Sequence, residues 1–297
     1  MRNIFPPVLL LLLLLSACQP PVKTIPRKVV TGLDTVSYAA VLEQGELKSS
    51  NLNLRHLAGI QVKDRGWSRD CEYPEVVERA RNKAMKLGGN VMIIVKHELP
   101  AQTGSSCSRI QAEVYLAQSL EGLESKIRWD TARPLLPGDL RGAAQRGATG
   151  LPPVTCELKY RLLGDYFNDI TVRTQTLFYT DSTWMPSGGT APALYLRRAQ
   201  LHFDLAELSA RRFKNDLVSL APDLRAITGQ AKTRLAEAEH AWQQRAAEFD
   251  ANWQRSNYSE AVLAEWEAMI ARELASVAQR SGDVTVSLLK ADYRKKE

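Results

Sequence analysis

The chain has 297 residues, enough for two compact domains at roughly 150 residues each. Its hydrophobic fraction of 44% and charged fraction of 24% are those of a folded globular protein and exclude a fibrous or disordered one. The excess of 39 Lys and Arg over 33 Asp and Glu is spread thinly, with no basic stripe before Arg294-Lys295-Lys296, so nucleic acid is not the expected partner.

Residues 1–17 have the form of a signal peptide: Arg2, an apolar run from Val8 to Leu15, then Ser16-Ala17 before Cys18. The run is shorter than the ~20 apolar residues that span a bilayer. Leu15-Ser16-Ala17-Cys18 resembles the bacterial lipobox. That resemblance implies cleavage before Cys18, diacylglyceration of its thiol and acylation of the new amino terminus by chains such as palmitate. Several acyl chains are enough for stable anchoring. Gln19 in place of aspartate points, by the same analogy, to the outer membrane facing the periplasm, with residues 18–26 as a Pro-rich tether.

Three cysteines remain in the body. In an exported protein Cys71 and Cys107 can close a disulfide around the intervening helix and strand, with Cys156 left over. Neither lies in a Cys-x-x-Cys arrangement, which favours a structural staple over a redox pair.

A first domain is expected over residues 27–120. Strand-like Leu57 to Val62 is followed by a helix from Pro74 to Leu87, with Pro74 in its first turn and Gly88-Gly89 as its stop. Val91 to Val95 reads as a buried strand and Ile110 to Leu116 as another. A helix packed on a small sheet makes the class α+β. His97 is expected as an exposed edge residue. The residues Asp70-Cys71-Glu72-Tyr73, Ala80 to Ala84, Gly88-Gly89-Asn90-Val91, Cys107 and Ala112-Glu113-Val114-Tyr115 resemble uncharacterised bacterial envelope lipoproteins. They are more distantly similar to the sensor lipoprotein of the Rcs envelope-stress pathway, which implies a sensing or binding module.

A second domain is expected over residues 123–297. Strand-like stretches at Cys156 to Leu162, Ile170 to Phe178 and around Trp184 precede helices at Pro192 to Leu217, Leu224 to Trp253 and Ser259 to Ala278. The last two carry apolar seams spaced by three and four residues and read as an antiparallel hairpin bracing the first. Trp242, Trp253 and Trp266 fall on those seams, so core packing is expected of them rather than a stacking platform.

Trp129-x-x-x-Arg133-Pro134-Leu135, Asp139-Leu140-Arg141-Gly142, Ser182-Thr183-Trp184, Gln200 to Glu207 and Phe249-Asp250 through Trp266-Glu267 together resemble the predicted secreted zinc-dependent proteases of unknown function. The resemblance implies an HExxH helix with a further histidine near the end of the next helix. In such a motif two histidines one turn apart face one ion and the glutamate deprotonates its bound water. Aligned on His202, the first histidine is Arg198 and the glutamate is Ala199; the further histidine aligns with Arg255. Arginine offers no lone pair and alanine no base, so hydrolysis is expected to be lost, no cofactor is expected, and His202 is the one residual metal candidate.

Asp204 and Glu207 lie on the far side of the helix from His202 and line up with Arg211 and Lys214, a pattern expected of a solvated ridge. Arg198 and Arg255 are expected to converge on the vacated pocket, where an acidic peptide or cell-wall group would sit between them. The leading expectation is a lipid-anchored envelope protein whose protease-like domain binds rather than cleaves. The alternatives are an atypical zinc-dependent metallohydrolase using His202 and a purely structural lipoprotein.

Overall fold

The computed structural model describes residues 22–25, 34–46, 53–63, 71–100, 107–143, 151–165, 169–185, 192–220 and 224–287. Cys18 and residues 1–17, expected to form a signal peptide, lie outside these residues. The chain is α+β and divides into two compact units, Met1–Leu120 and Glu121–Glu297.

Among the described residues, the first unit is a five-stranded sheet with one helix against it. Its strands are β1 (Val22–Ile25), β2 (Ala40–Glu43), β3 (Leu54–Val62), β4 (Val91–Glu98) and β5 (Arg109–Ala117), in the order β1-β3-β5-β4-β2. Among the described residues, β2 and β4 pair in parallel and the other pairs are antiparallel. Strand β1 corrects the expectation of a tether running to residue 26: Val22 to Ile25 pair antiparallel with Val62 to Gly59. Four residues are too few to show alternation, but an exposed sheet edge supplies partners for their amides.

Helix α1 (Tyr73–Lys86) lays Val76, Ala80 and Ala84 on Leu57, Ile60, Met92, Ile94, Ala112 and Val114 of the sheet. The glycine pair that ends it is a steric requirement. Gly88 has φ of 78°, the left-handed conformation that stops helices, and a β-carbon on Gly89 would lie 2.1 Å from Val114 Cγ1. Cys71, before α1, is disulfide-bonded to Cys107, before β5, across a Cα separation of 4.9 Å. The bond fastens the helix entrance to the sheet. His97 is exposed and stacks on Tyr73 with ring centroids 4.0 Å apart.

The second unit has three layers. Strands β6 (Lys126–Arg128), β7 (Cys156–Asp165), β8 (Asp169–Tyr179) and β9 (Val284–Ser287) form a sheet centred on β8. Strand β7 takes one side of β8; β6 and β9 share the other. The stretch around Trp184 makes a single bridge to Arg141 rather than a strand.

Helix α2 (Pro192–Ser219) forms the middle layer, between this sheet and the hairpin of α3 (Leu224–Arg255) and α4 (Glu260–Ser276). Its Phe203 meets Ile127 and Phe178 of the sheet side, while Leu201, Leu205 and Leu208 belong to the cluster of Trp242, Phe249, Trp253, Leu263 and Ile270 from the hairpin. Trp253 is fully buried and stacks on Phe249 at 6.1 Å, so the tryptophan seam is core. Arg197 ties α2 to α4 through Glu267, with Nε and Nη2 donating at 2.9 and 2.7 Å.

Candidate functional site: a buried arginine and its cleft

The site is built from the first half of α2, the facing stretch of α3, and the extended residues 151–156 that lead into β7. Arg198 and His202 are one turn apart and therefore share a face, and both are buried. Opposite them stands Asp250 of α3. Arg198 grips it at two points: Nε donates to Oδ1 and Nη2 to Oδ2, each at 2.7 Å. Its Nη1 donates to the Pro152 carbonyl at 2.8 Å. The planar guanidinium matches a carboxylate in this way where an ammonium does not.

His202 Nε2 lies 3.1 Å from the same Asp250 Oδ1. Burial pushes the His202 pKa down; the Asp250 hydrogen bond opposes that shift and the Arg198 charge adds to it. The net effect favours the neutral imidazole. An ionised carboxylate can only accept, so the proton sits on Nε2 and is donated to Asp250. For Asp250, burial alone would raise the pKa, but the hydrogen bonds from Arg198 and His202 and their charges prevail and hold it at about 2.

This donor set does not suit a metal. Arg198 is a cation without a lone pair, Ala199 carries no base, and the Nε2 position of His202 is engaged as a donor. Among the described residues, no three His, Cys, Asp or Glu side chains are grouped to hold an ion. Asp250 has no role that could be read from the motif: it lies 48 residues from His202 in sequence. Its only signal was the Phe249-Asp250 pair among the residues carrying the protease resemblance.

Arg255 is elsewhere. Arg198 lines a cleft of about 570 Å³ with Pro152, Cys156, Trp242 and Asp250. Arg255 is exposed, hydrogen-bonds Asn252 and lines a separate groove between α3 and α4. Five residues beyond Asp250, it points about 140° further round α3 at ~100° per residue. The expected convergence of the two arginines on an anion is thus overturned, because Arg198 is neutralised internally and Arg255 faces another way.

The acidic and basic residues on the other side of α2 are not a solvated ridge either. Glu207, Arg211 and Lys214 are buried, because the sheet of this unit covers that face. Glu207 accepts from Thr176 Oγ1 and from Arg211 Nε, both at 2.8 Å. Arg211 also lies over the Trp129 ring at 4.9 Å. Asp204 accepts from Trp129 Nε1 at 2.7 Å and from Gln200 Nε2 at 2.8 Å, and burial raises its pKa. Lys214 donates to the Gly282 carbonyl at 2.9 Å, and burial lowers it to about 8.

Arg133, Asp139, Arg141 and Gly142 are braces. Arg133 donates to Asp139 through Nη1 and Nη2 at 2.9 and 3.0 Å and to Glu124 through Nε at 3.2 Å, all buried. Arg141 donates to the carbonyls of Gly122 and Glu124 at 2.8 Å. At Gly142 a β-carbon would lie 2.9 Å from the Thr183 carbonyl carbon. The Leu135 amide donates to Gln200 Oε1 at 2.8 Å, so this whole loop is pinned to α2.

Cys156 is a free thiol in the cleft wall. Burial and the Asp204 charge push its pKa up, which holds it in the unreactive thiol form at neutral pH. Comparison of the chain with family models, with curated proteins and with solved structures found no match.

Proposed function

We propose that this is a lipid-anchored protein of the bacterial cell envelope, tethered through Cys18 to the outer membrane and facing the periplasm. Its second unit is a metalloprotease-like scaffold that has lost its chemistry and acts by binding. The first unit serves as a sensing or binding module.

The observation that carries this reading is the two-point ion pair of Arg198 with Asp250. At the position where the HExxH pattern needs a metal ligand, the chain places a permanent cation and neutralises it with its own carboxylate. Ala199 removes the base that would activate water. The lipobox and the preceding apolar run support the anchor.

Two measurements test the reading. Casein incubated with the purified chain should stay intact with and without added zinc; chelator-sensitive cleavage would instead favour the atypical hydrolase. In cells, Cys18→Ser should move the protein from the membrane fraction to the soluble fraction, and retention in the membrane would remove the anchor.

A further inference from the structure

We infer that the cleft beside Arg198 is a docking groove for an extended segment of another polypeptide, held through its backbone carbonyls. The inference rests on the binding reading above and adds the class of ligand.

The first observation is an unpartnered donor. Trp242 lines the cleft and is 7% exposed, and its indole Nε1 is buried without a hydrogen-bond partner. Buried N–H groups are almost always satisfied in folded proteins. The other buried tryptophan of the same helix obeys the rule: Trp253 Nε1 donates to the Ser259 carbonyl at 3.1 Å. A carbonyl pressed against the Trp242 wall is the acceptor that the fold itself does not provide.

The second observation is an open strand edge at the same place. Cys156 stands in the cleft wall and is the first residue of β7. Among the described residues β7 pairs with β8 alone, so it ends the sheet. A strand edge presents unpaired amides and carbonyls, and an extended chain completes it through main-chain hydrogen bonds.

The third is the character of the rim. Arg198 is neutralised by Asp250 at two points, so the cleft offers no free guanidinium to select an anion. Gln243 and Gln254 are exposed at its border, with Ala247 between them. Primary amides donate and accept, which suits the alternating groups of a peptide backbone.

The test uses fluorescein-labelled casein, an unstructured chain, titrated with the purified full-length protein and read by fluorescence anisotropy. Saturable binding is expected. Ala247→Trp, which fills the groove from an exposed position, should weaken it by about tenfold or more, a change of ~1.4 kcal/mol. Trp242→Phe deletes the donor and shortens a buried ring; it should also weaken binding, about fivefold to tenfold, with the helical circular dichroism of the wild type retained at the assay temperature. Arg255→Ala, in the other groove, should bind like the wild type. Absence of saturable binding, or equal affinity of all four proteins, overturns the inference. Chelator-sensitive loss of the casein itself would instead refute the non-catalytic reading on which it rests.

Discussion

Arg198 and Asp250 form a two-point ion pair across the interface of α2 and α3, and its oxygen Oδ1 is shared with His202. Removing the guanidinium leaves a partly buried carboxylate with a single neutral neighbour. Breaking a buried pair costs several kcal/mol; with Asp250 about one-fifth exposed, Arg198→Ala should lose about 2–4 kcal/mol in denaturant unfolding. Arg198→Lys should recover only part of this, because one ammonium cannot make both contacts. In the same Ala variant the His202 pKa should rise, since the Arg198 charge is one of the causes holding it down. NMR titration of the imidazole reads that shift directly.

The pH dependence of this cluster has a fixed sign. Asp250 is held at about 2 in the folded chain, below its unfolded value of about 3.9. Its contribution is fully present above about pH 4 and is lost as pH falls toward 2. His202 is also depressed in the folded state, so the unfolded chain binds the extra proton and stability falls as pH drops below about 6.5. Urea titrations between pH 7 and pH 3 should show both losses. Asp250→Asn should abolish the lower one.

Lys214 gives the opposite end of the scale. It is 1% exposed and its folded pKa is lowered to about 8 from an unfolded value of 10.5. Between those values the unfolded chain binds more protons, so its contribution to stability rises as pH increases from about 8 to 10.5. Lys214→Met should flatten that rise in thermal or denaturant unfolding. A rise unchanged in the variant would assign it to another group.

In the first unit, two substitutions separate the staple from the packing. Cys71 and Cys107 close a loop with a sequence separation of 36, and replacing both by alanine should cost about 3–4 kcal/mol. Gly89→Ala places a methyl against Val114 and should cost about 1–3 kcal/mol by overpacking, in both oxidised and reduced protein. Differential scanning calorimetry with and without reductant distinguishes the two effects.

Much of the fold was legible because its long elements repeat. Along the seam of α3, Ile227, Ala231, Trp242, Ala246, Phe249 and Trp253 are buried and Leu235 and Ala238 are half-buried, and the stop at Gly88-Gly89 ends α1. Strands β1, β2, β6 and β9 are three or four residues long, too short for alternation to register. The charged side of α2 misled for a different reason. Periodicity identifies a polar face but not whether a third layer covers it, and here Trp129, Thr176 and the Gly282 carbonyl do so. The candidate site was half visible: Arg198, Ala199 and His202 are contiguous on one helix, whereas Asp250 joins them only through tertiary packing. Arg255 was placed with them by alignment, and the helical rotation between residues 250 and 255 separates it.

On the proposed reading, the Arg198–Asp250 ion pair stands on α2 where a zinc protease would hold its metal. Elemental analysis of the purified chain after equilibration with zinc tests it most directly. Far less than one bound zinc per chain is expected, unchanged in His202→Ala. One zinc per chain, lost in His202→Ala and removed by chelator, would contradict it.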